Sequence, residues 1–340
     1  MKIKKLLSLL LVLVMCFALA SCGEKTTADN GKKDDIKPSA ETTEPVTEQT
    51  SSDEVEDGVK PLLYRVTDAD GSVIWLFGSI HVGREEFYPL PDYVMDAFNE
   101  ADSLAVEADI VAFEEDIAVQ TQALSKMMYL DGTTIKDYIP EDLYNSAVEI
   151  MTEYDYYMPQ LDYYCPSMWS SLIRSLVLEG LGIESELGVD MHLLKKAYEE
   201  EKEILEVESV QMQYEMLAGF SDEIQLLLLE ASVEMYDEID DAEDEMNQLL
   251  DLWASGDEEE FAKVINEVDE EMTEEEQELY DEYNKEMTVN RNIFMTDYAE
   301  DALADGGDVF ICVGAAHVVG EGAMADLLSE RGYTVELVTK

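Results

Sequence analysis

Two apolar runs in this chain end in the same way. Val73 to Gly83 reads VIWLFGSIHVG, and Val309 to Gly320 reads VFICVGAAHVVG. Each begins as an uninterrupted apolar stretch, the pattern of a strand covered on both faces, as in the parallel sheet of an α/β protein. Each then meets a glycine, Gly78 or Gly314, and delivers a histidine three residues later, His81 or His317. Glycine at a strand end lets the backbone turn sharply or approach a ligand closely. In open α/β sheets ligands collect beyond the carboxyl ends of the strands. The chain has 3 histidines in all, so two at matching positions are an unusual concentration.

The remaining segments extend this reading. Leu62 to Ser79 reads as two strands joined by a tight turn at Asp70-Gly71. Asp68, Asp70 and Gly71 resemble the start of a calcium loop, but the later ligand positions are missing. Pro91 to Ala101 has helical spacing, and SLAVEAD is a short strand carrying Glu107 at its end. Helical periodicity follows near 113–129, 140–154, 167–181 and 185–201. EILEVES is again a strand with a carboxylate, Glu208, at its end, and an acidic helical region runs from about 210 to 304. Within it Thr273-Glu274-Glu275-Glu276 is a capping-box pattern. A helix over Gly322–Arg331 and a strand in YTVELVT close the chain. The expected fold is α/β, with a central sheet built from the N- and C-terminal segments, flanking helices, and a large helical insertion or cap.

The first residues stand outside that fold. MKIKKLLSLLLVLVMCFALASC has a basic start, an apolar core and small residues before Cys22, the pattern of a secretory signal of the lipoprotein type. Residues 1–21 are expected to be removed and Cys22 to carry lipid, which anchors the protein to the membrane outside the cytoplasm. Residues 22–60 are rich in Thr, Glu, Ser, Asp and Lys and nearly free of large apolar side chains. They read as a disordered tether, leaving residues 61–340 as the folded part. The formal net charge of -58, from 79 acidic and 21 basic residues, repels nucleic acid and anionic surfaces. The acidic helices read as solvated faces. Cys312 reads as a small buried residue, and a disulfide to Cys165 stays open, since spacing supplies no geometry.

If the two Gly-x-x-His strands lie parallel and adjacent, His81 and His317 converge on one crevice. Glu107 and Glu208 occupy the equivalent position after two further strands. Two imidazoles with one or two carboxylates suit a divalent transition metal such as Mn, Co, Fe or Zn. The bland alternative is a pair of hydrogen-bonded loop histidines. His192, in GVDMHLLKKA, follows no strand and reads as structural or exposed.

LFGSIHVG, YPLPDYVMDAFNEADSLAVEAD, GVDMHLLKKAYEEEKEILEVESVQMQ and the stretch from Asn290 through VFICVGAAHVVG to Val338 together resemble the TraB/GumN family. That family includes Tiki-type metalloproteases and bacterial relatives proposed to inactivate peptide pheromones. The resemblance covers most of Leu62 to Val338 and is weakest over 112–174 and the acidic helices. It matches His81 and His317 to the family's two histidines and Glu107 to its strand-end acid. Glu208 and Gln213 match a Leu-Glu-Thr-x-Glu-x-Gln segment, in which Val207, Ser209 and Gln211 depart from the pattern. Arg291 matches an arginine before the last strand–helix unit. The resemblance implies a metal-dependent hydrolase fold related to erythromycin esterase and haem-uptake lipoproteins.

The expected function is therefore a lipid-anchored, extracytoplasmic metal-dependent hydrolase acting on a peptide or protein, with Mn, Co or Zn as cofactor. His81, His317 and Glu107 are the candidate ligands. Glu208 would complete the site or act as general base. Arg291 would stabilise an oxyanion or hold a substrate carboxylate, unless it is a surface ion pair. The alternative is a lipoprotein that binds a peptide, haem or metal without chemistry, using the same histidines.

Overall fold

The computed structural model describes residues 58–266 and 272–338. The signal pattern, Cys22 and nearly all of the 22–60 tether lie outside the described residues. Six strands form one sheet in the order β4-β3-β5-β2-β1-β6: β1 Leu63–Thr67, β2 Val73–Ser79, β3 Ser103–Val106, β4 Glu203–Glu206, β5 Gly307–Gly314 and β6 Thr334–Leu337. The segments at the two ends of the folded region supply the centre of the sheet, as the apolar runs require.

β1 and β2 form an antiparallel hairpin whose turn is closed by Asp68, its Oδ1 accepting from the backbone N–H groups of Asp70 and Ser72 at 2.9 and 2.8 Å. The aspartate thus serves turn chemistry. β2 and β5 pair in parallel, with Gly78 opposite Val313 and Ser79 opposite Gly314. β3 lies parallel to both β5 and β4. Four neighbouring strands therefore end at one edge, each with a candidate site side chain just beyond. β5 is buried from Val309 to Gly314, and Phe310 packs against Phe77 and Phe98 with ring centroids 5.6 and 5.7 Å apart. That two-sided burial is the reason the run is continuously apolar.

The helical middle arises from two long connections, β3 to β4 and β4 to β5. The Pro166–Gly180 helix of the first packs on the Asp222–Asp237 helix of the second, where Ser170 Oγ and Ser232 Oγ meet at 2.7 Å. One apolar cluster runs from Leu63 through Trp169 and Leu229 to Trp253, so sheet and helices share a core. The Ile239–Ser255 helix exposes Asp240, Asp241 and Glu243–Glu245 while burying Met246, Leu249, Leu250 and Trp253. Its acidic run is a solvated face, and Trp253 Nε1 donates to the Gly78 carbonyl at 2.9 Å.

Local boundaries differ from the periodicity where a capping side chain or a close approach intervenes. The 113–129 segment divides at Asp116, which ends one helix and caps the next by accepting from Ala118 and Val119 N–H. The 185–201 segment opens with a 3-10 turn at Ser185–Leu187 and becomes α-helical only at Val189, after Gly188. Cys165 and Cys312 are free and buried. Among the described residues no helix is long and apolar enough to cross a membrane.

Candidate functional site

His81 lies two residues past β2, and its position depends on Gly188. A Cβ at Gly188 would sit 2.5 Å from the His81 carbonyl oxygen, so only glycine lets the chain come this close. Val189 N–H then donates to the Ile80 carbonyl at 2.8 Å, and the Val189–Glu199 helix starts directly over His81. Asp190, in its first turn, reaches His81 Nδ1 at 2.7 Å. The other ring nitrogen, Nε2, is buried without a hydrogen-bond partner.

His317 is held in a parallel manner from the other side. It sits in the short helical turn Ala315–Val318 after β5 and is fully buried. Its Nδ1 is 2.7 Å from Asn292 Oδ1. Asn292 Nδ2 donates to the Gly322 carbonyl at 2.9 Å, which fixes the amide with its oxygen towards the imidazole. The proton is thereby assigned to His317 Nδ1, and Nε2 carries the lone pair. That nitrogen too has no partner.

The carboxylates gather on Arg291. Its Nη2 donates to Glu107 Oε2 at 2.7 Å and to Glu208 Oε2 at 2.8 Å, and its Nε donates to Glu208 Oε1 at 2.8 Å. Gln213 Nε2 donates to both acids, at 3.2 Å to Glu107 and 2.9 Å to Glu208. Glu107 Oε1 accepts from Gly314 N–H at 2.7 Å and lies 3.9 Å from His81 Nε2. All five groups are buried. Arg291 is therefore an internal bridge rather than a surface ion pair. It and Asn292 open the Asn290–Ala304 helix, directly after a π-helical turn at Lys285–Val289, a distortion common at functional sites. Adjacent helical residues point about 100° apart, so Arg291 meets the carboxylates while Asn292 meets His317.

The two imidazoles differ in charge. Burial alone would lower the His81 pKa, but the charge and hydrogen bond of Asp190, aided by Glu107, outweigh it and raise the value to about 9. His317 is held well below 6.5 by burial, by Arg291 and by His81. At neutral pH the site holds one imidazolium and one neutral imidazole. Cys312, close by, has its thiol pushed well up, first by burial, and is chemically quiet.

Two buried nitrogens of one type, each oriented by a hydrogen bond at the opposite ring position, match how proteins present imidazoles to metals. The carboxylates fit less directly. Among the described residues no group of three or more His, Cys, Asp or Glu side chains is gathered as an ion would require. Glu208 has both oxygens engaged by Arg291 and Gln213, whereas Glu107 Oε1 accepts one hydrogen bond and keeps a second lone pair. The imidazole pair supplies two of the ligand atoms that a metal would need, with Glu107 the carboxylate nearest His81.

The structure brings together His81, Glu107, Glu208, Gln213, Arg291 and His317. His192 lies apart, stacked on Tyr88 with centroids 4.2 Å apart. Asp190 and Asn292 are the two site residues that neither the strand-end pattern nor the family resemblance singled out. Each has a weak signal, Asp190 in the first turn after Gly188 and Asn292 beside Arg291.

An α/β sheet that presents a polar constellation beyond four parallel strand ends defines the broad class. The chain belongs to the TraB/PrgY/gumN family, whose sequence model matches residues 62–337. It is 25% identical over 151 residues to YbaP of Escherichia coli (strain K12), described as an uncharacterized protein, and matches YbaP of Shigella flexneri equally. The match covers 43% of this chain and 52% of each relative, so the chain spans about half the length of the curated relatives it matches. No solved structure matches.

Proposed function

We propose that this protein is a metal-dependent hydrolase acting on peptide bonds, held outside the cytoplasm by lipid on Cys22. The observation that carries the reading is the pair of buried, unpartnered Nε2 atoms on His81 and His317, each with Nδ1 fixed by a side chain of its own. His81 and His317 would hold a divalent ion, Mn, Co or Zn, which when bound supplies Lewis-acid polarisation of a carbonyl oxygen. Asp190 and Asn292 keep the rings in register. Glu107, with a lone pair free beside His81, is the group placed to hold a proton taken from an attacking water. Arg291 and Gln213 keep Glu107 aimed, and Glu208 anchors Arg291 from behind. In this arrangement Glu208 and Arg291 position the reacting groups, rather than serving as base and oxyanion donor.

Calorimetric titration of the purified protein with Mn, Co and Zn tests the reading, followed by a peptide-library cleavage screen. One ion per chain is expected. His81→Ala and His317→Ala should each weaken uptake by more than about 100-fold, since loss of a ligand exceeds the 10- to 100-fold loss typical of an orienting partner. His192→Ala should leave it unchanged. Absence of uptake by the wild type sinks the metal site. Uptake without cleavage of any peptide favours the binding lipoprotein, a reading supported by the number of carboxylate oxygens already engaged.

The anchor has a separate test. Cys22→Ser should release the protein from membranes or block signal removal, because the apolar run ending Leu19-Ala20-Ser21-Cys22 directs lipid to that sulfur. Normal maturation with unchanged membrane association would overturn it.

A further inference from the structure

Beside the carboxylate cluster a cleft of about 190 Å³ opens between the Val210–Ala218 helix and the Asn290–Ala304 helix. Its inner wall is Glu208, Gln213 and Arg291, and Met212, Met216 and Phe294 form its apolar walls. Met212 and Phe294 are 45% and 44% exposed, unusual for large apolar side chains beside a buried charged cluster. The volume is below the roughly 300–1,000 Å³ of pockets that hold a whole small molecule. It suits a single side chain.

Gln213 gives the cleft its polarity. Its Nε2 donates to both Glu107 and Glu208, so the amide cannot be turned round without setting its oxygen against two carboxylates. Oε1 is therefore fixed as an acceptor. It is buried, and it has no hydrogen-bond partner. A saturated cluster that leaves one acceptor unused lacks a donor from outside. The backbone N–H of an extended peptide is such a donor, and its neighbouring side chain would then fall between the two methionines and Phe294. Thioethers adapt to varied apolar shapes. Glu286, also in the lining, together with Glu208 opposes an acidic side chain there.

We propose that this cleft is a substrate subsite that seats one apolar side chain of a peptide, with Gln213 Oε1 accepting the N–H of the same residue. This rests on the peptide-hydrolase reading and adds a side-chain preference to it. The test is binding rather than turnover, so that the two can fail separately. Capped short peptides carrying Leu, Phe, Ala or Asp at one position are titrated calorimetrically into the metal-free protein. Leu and Phe peptides should bind at least ~10-fold more tightly than Ala, as a few buried methylenes allow, and Asp should bind most weakly. Phe294→Asp and Met212→Asp, both at exposed positions that leave the fold intact, should erase the preference. Peptides that bind without apolar preference, or a preference that survives both substitutions, overturn the subsite while leaving the hydrolase standing. Failure of every peptide to bind overturns the subsite, and metal uptake with library cleavage then reports separately on the hydrolase.

Discussion

Arg291→Ala is expected to destabilise the protein by about 3–5 kcal/mol, the range for breaking a buried ion pair from one side. The two carboxylates it joins are 6% and 7% exposed, and removing the guanidinium leaves both charged groups without their cation in a low-dielectric site. Folded domains are stable by only about 5–15 kcal/mol, so the loss takes a large share of the total. Arg291→Lys should recover only part. An ammonium carries the charge but cannot reproduce the fork in which Nε serves Glu208 while Nη2 serves both acids. The triple change Arg291→Met, Glu107→Gln, Glu208→Gln should recover more than Arg291→Lys, because the uncompensated charges disappear together. Denaturant unfolding followed by circular dichroism measures all three. A loss below about 1 kcal/mol for Arg291→Ala, the level of an exposed pair, would show that the bridge opens to water.

Stability of the metal-free protein should fall as pH rises from about 6.5 through about 9, and His81 is the cause. Its folded pKa is raised from 6.5 to about 9 because the Asp190 ion pair and Glu107 outweigh the opposing effect of burial. A group whose pKa is higher in the folded state stabilises that state fully below the unfolded value. The contribution is lost as pH climbs through the folded value. At about 1.4 kcal/mol per unit, the full effect is on the order of 3 kcal/mol. Unfolding free energies measured with chelator present should therefore converge for wild type and His81→Asn near pH 10 and separate near pH 6. The difference between the two removes the background slope from the chain's many other acids. A constant difference across the range would mean that His81 is neutral in the folded protein. The same proton opposes metal: uptake at Nε2 should release it and strengthen towards pH 9.

The strand ends were legible because strand signals are local. A two-faced buried strand must be apolar along its length, and the residue past its end is exposed to the crevice whatever the rest of the chain does. VIWLFG and VFICVG thus announced β2 and β5, and the short runs before Glu107 and Glu208 announced β3 and β4. The α/β class followed, and so did the list of side chains at one edge of the sheet. Helix starts were less legible. The onset at Val189 is set by contact between Gly188 and His81, far apart in the chain.

By itself, the sequence determined which side chains stand beyond the parallel strands: His81, Glu107, Glu208 and His317. Only the tertiary structure decided what state each is in. The partners that orient or charge them come from helices packed over the crevice, with Asp190 lying 109 residues from His81 and Arg291 lying 184 from Glu107. Even Asn292, 25 residues from His317, reaches it only because the helix packs back across β5. Period and composition specify an element and its buried face. They do not specify which residue of one buried face meets which residue of another, because that choice depends on how all the elements fill the core together.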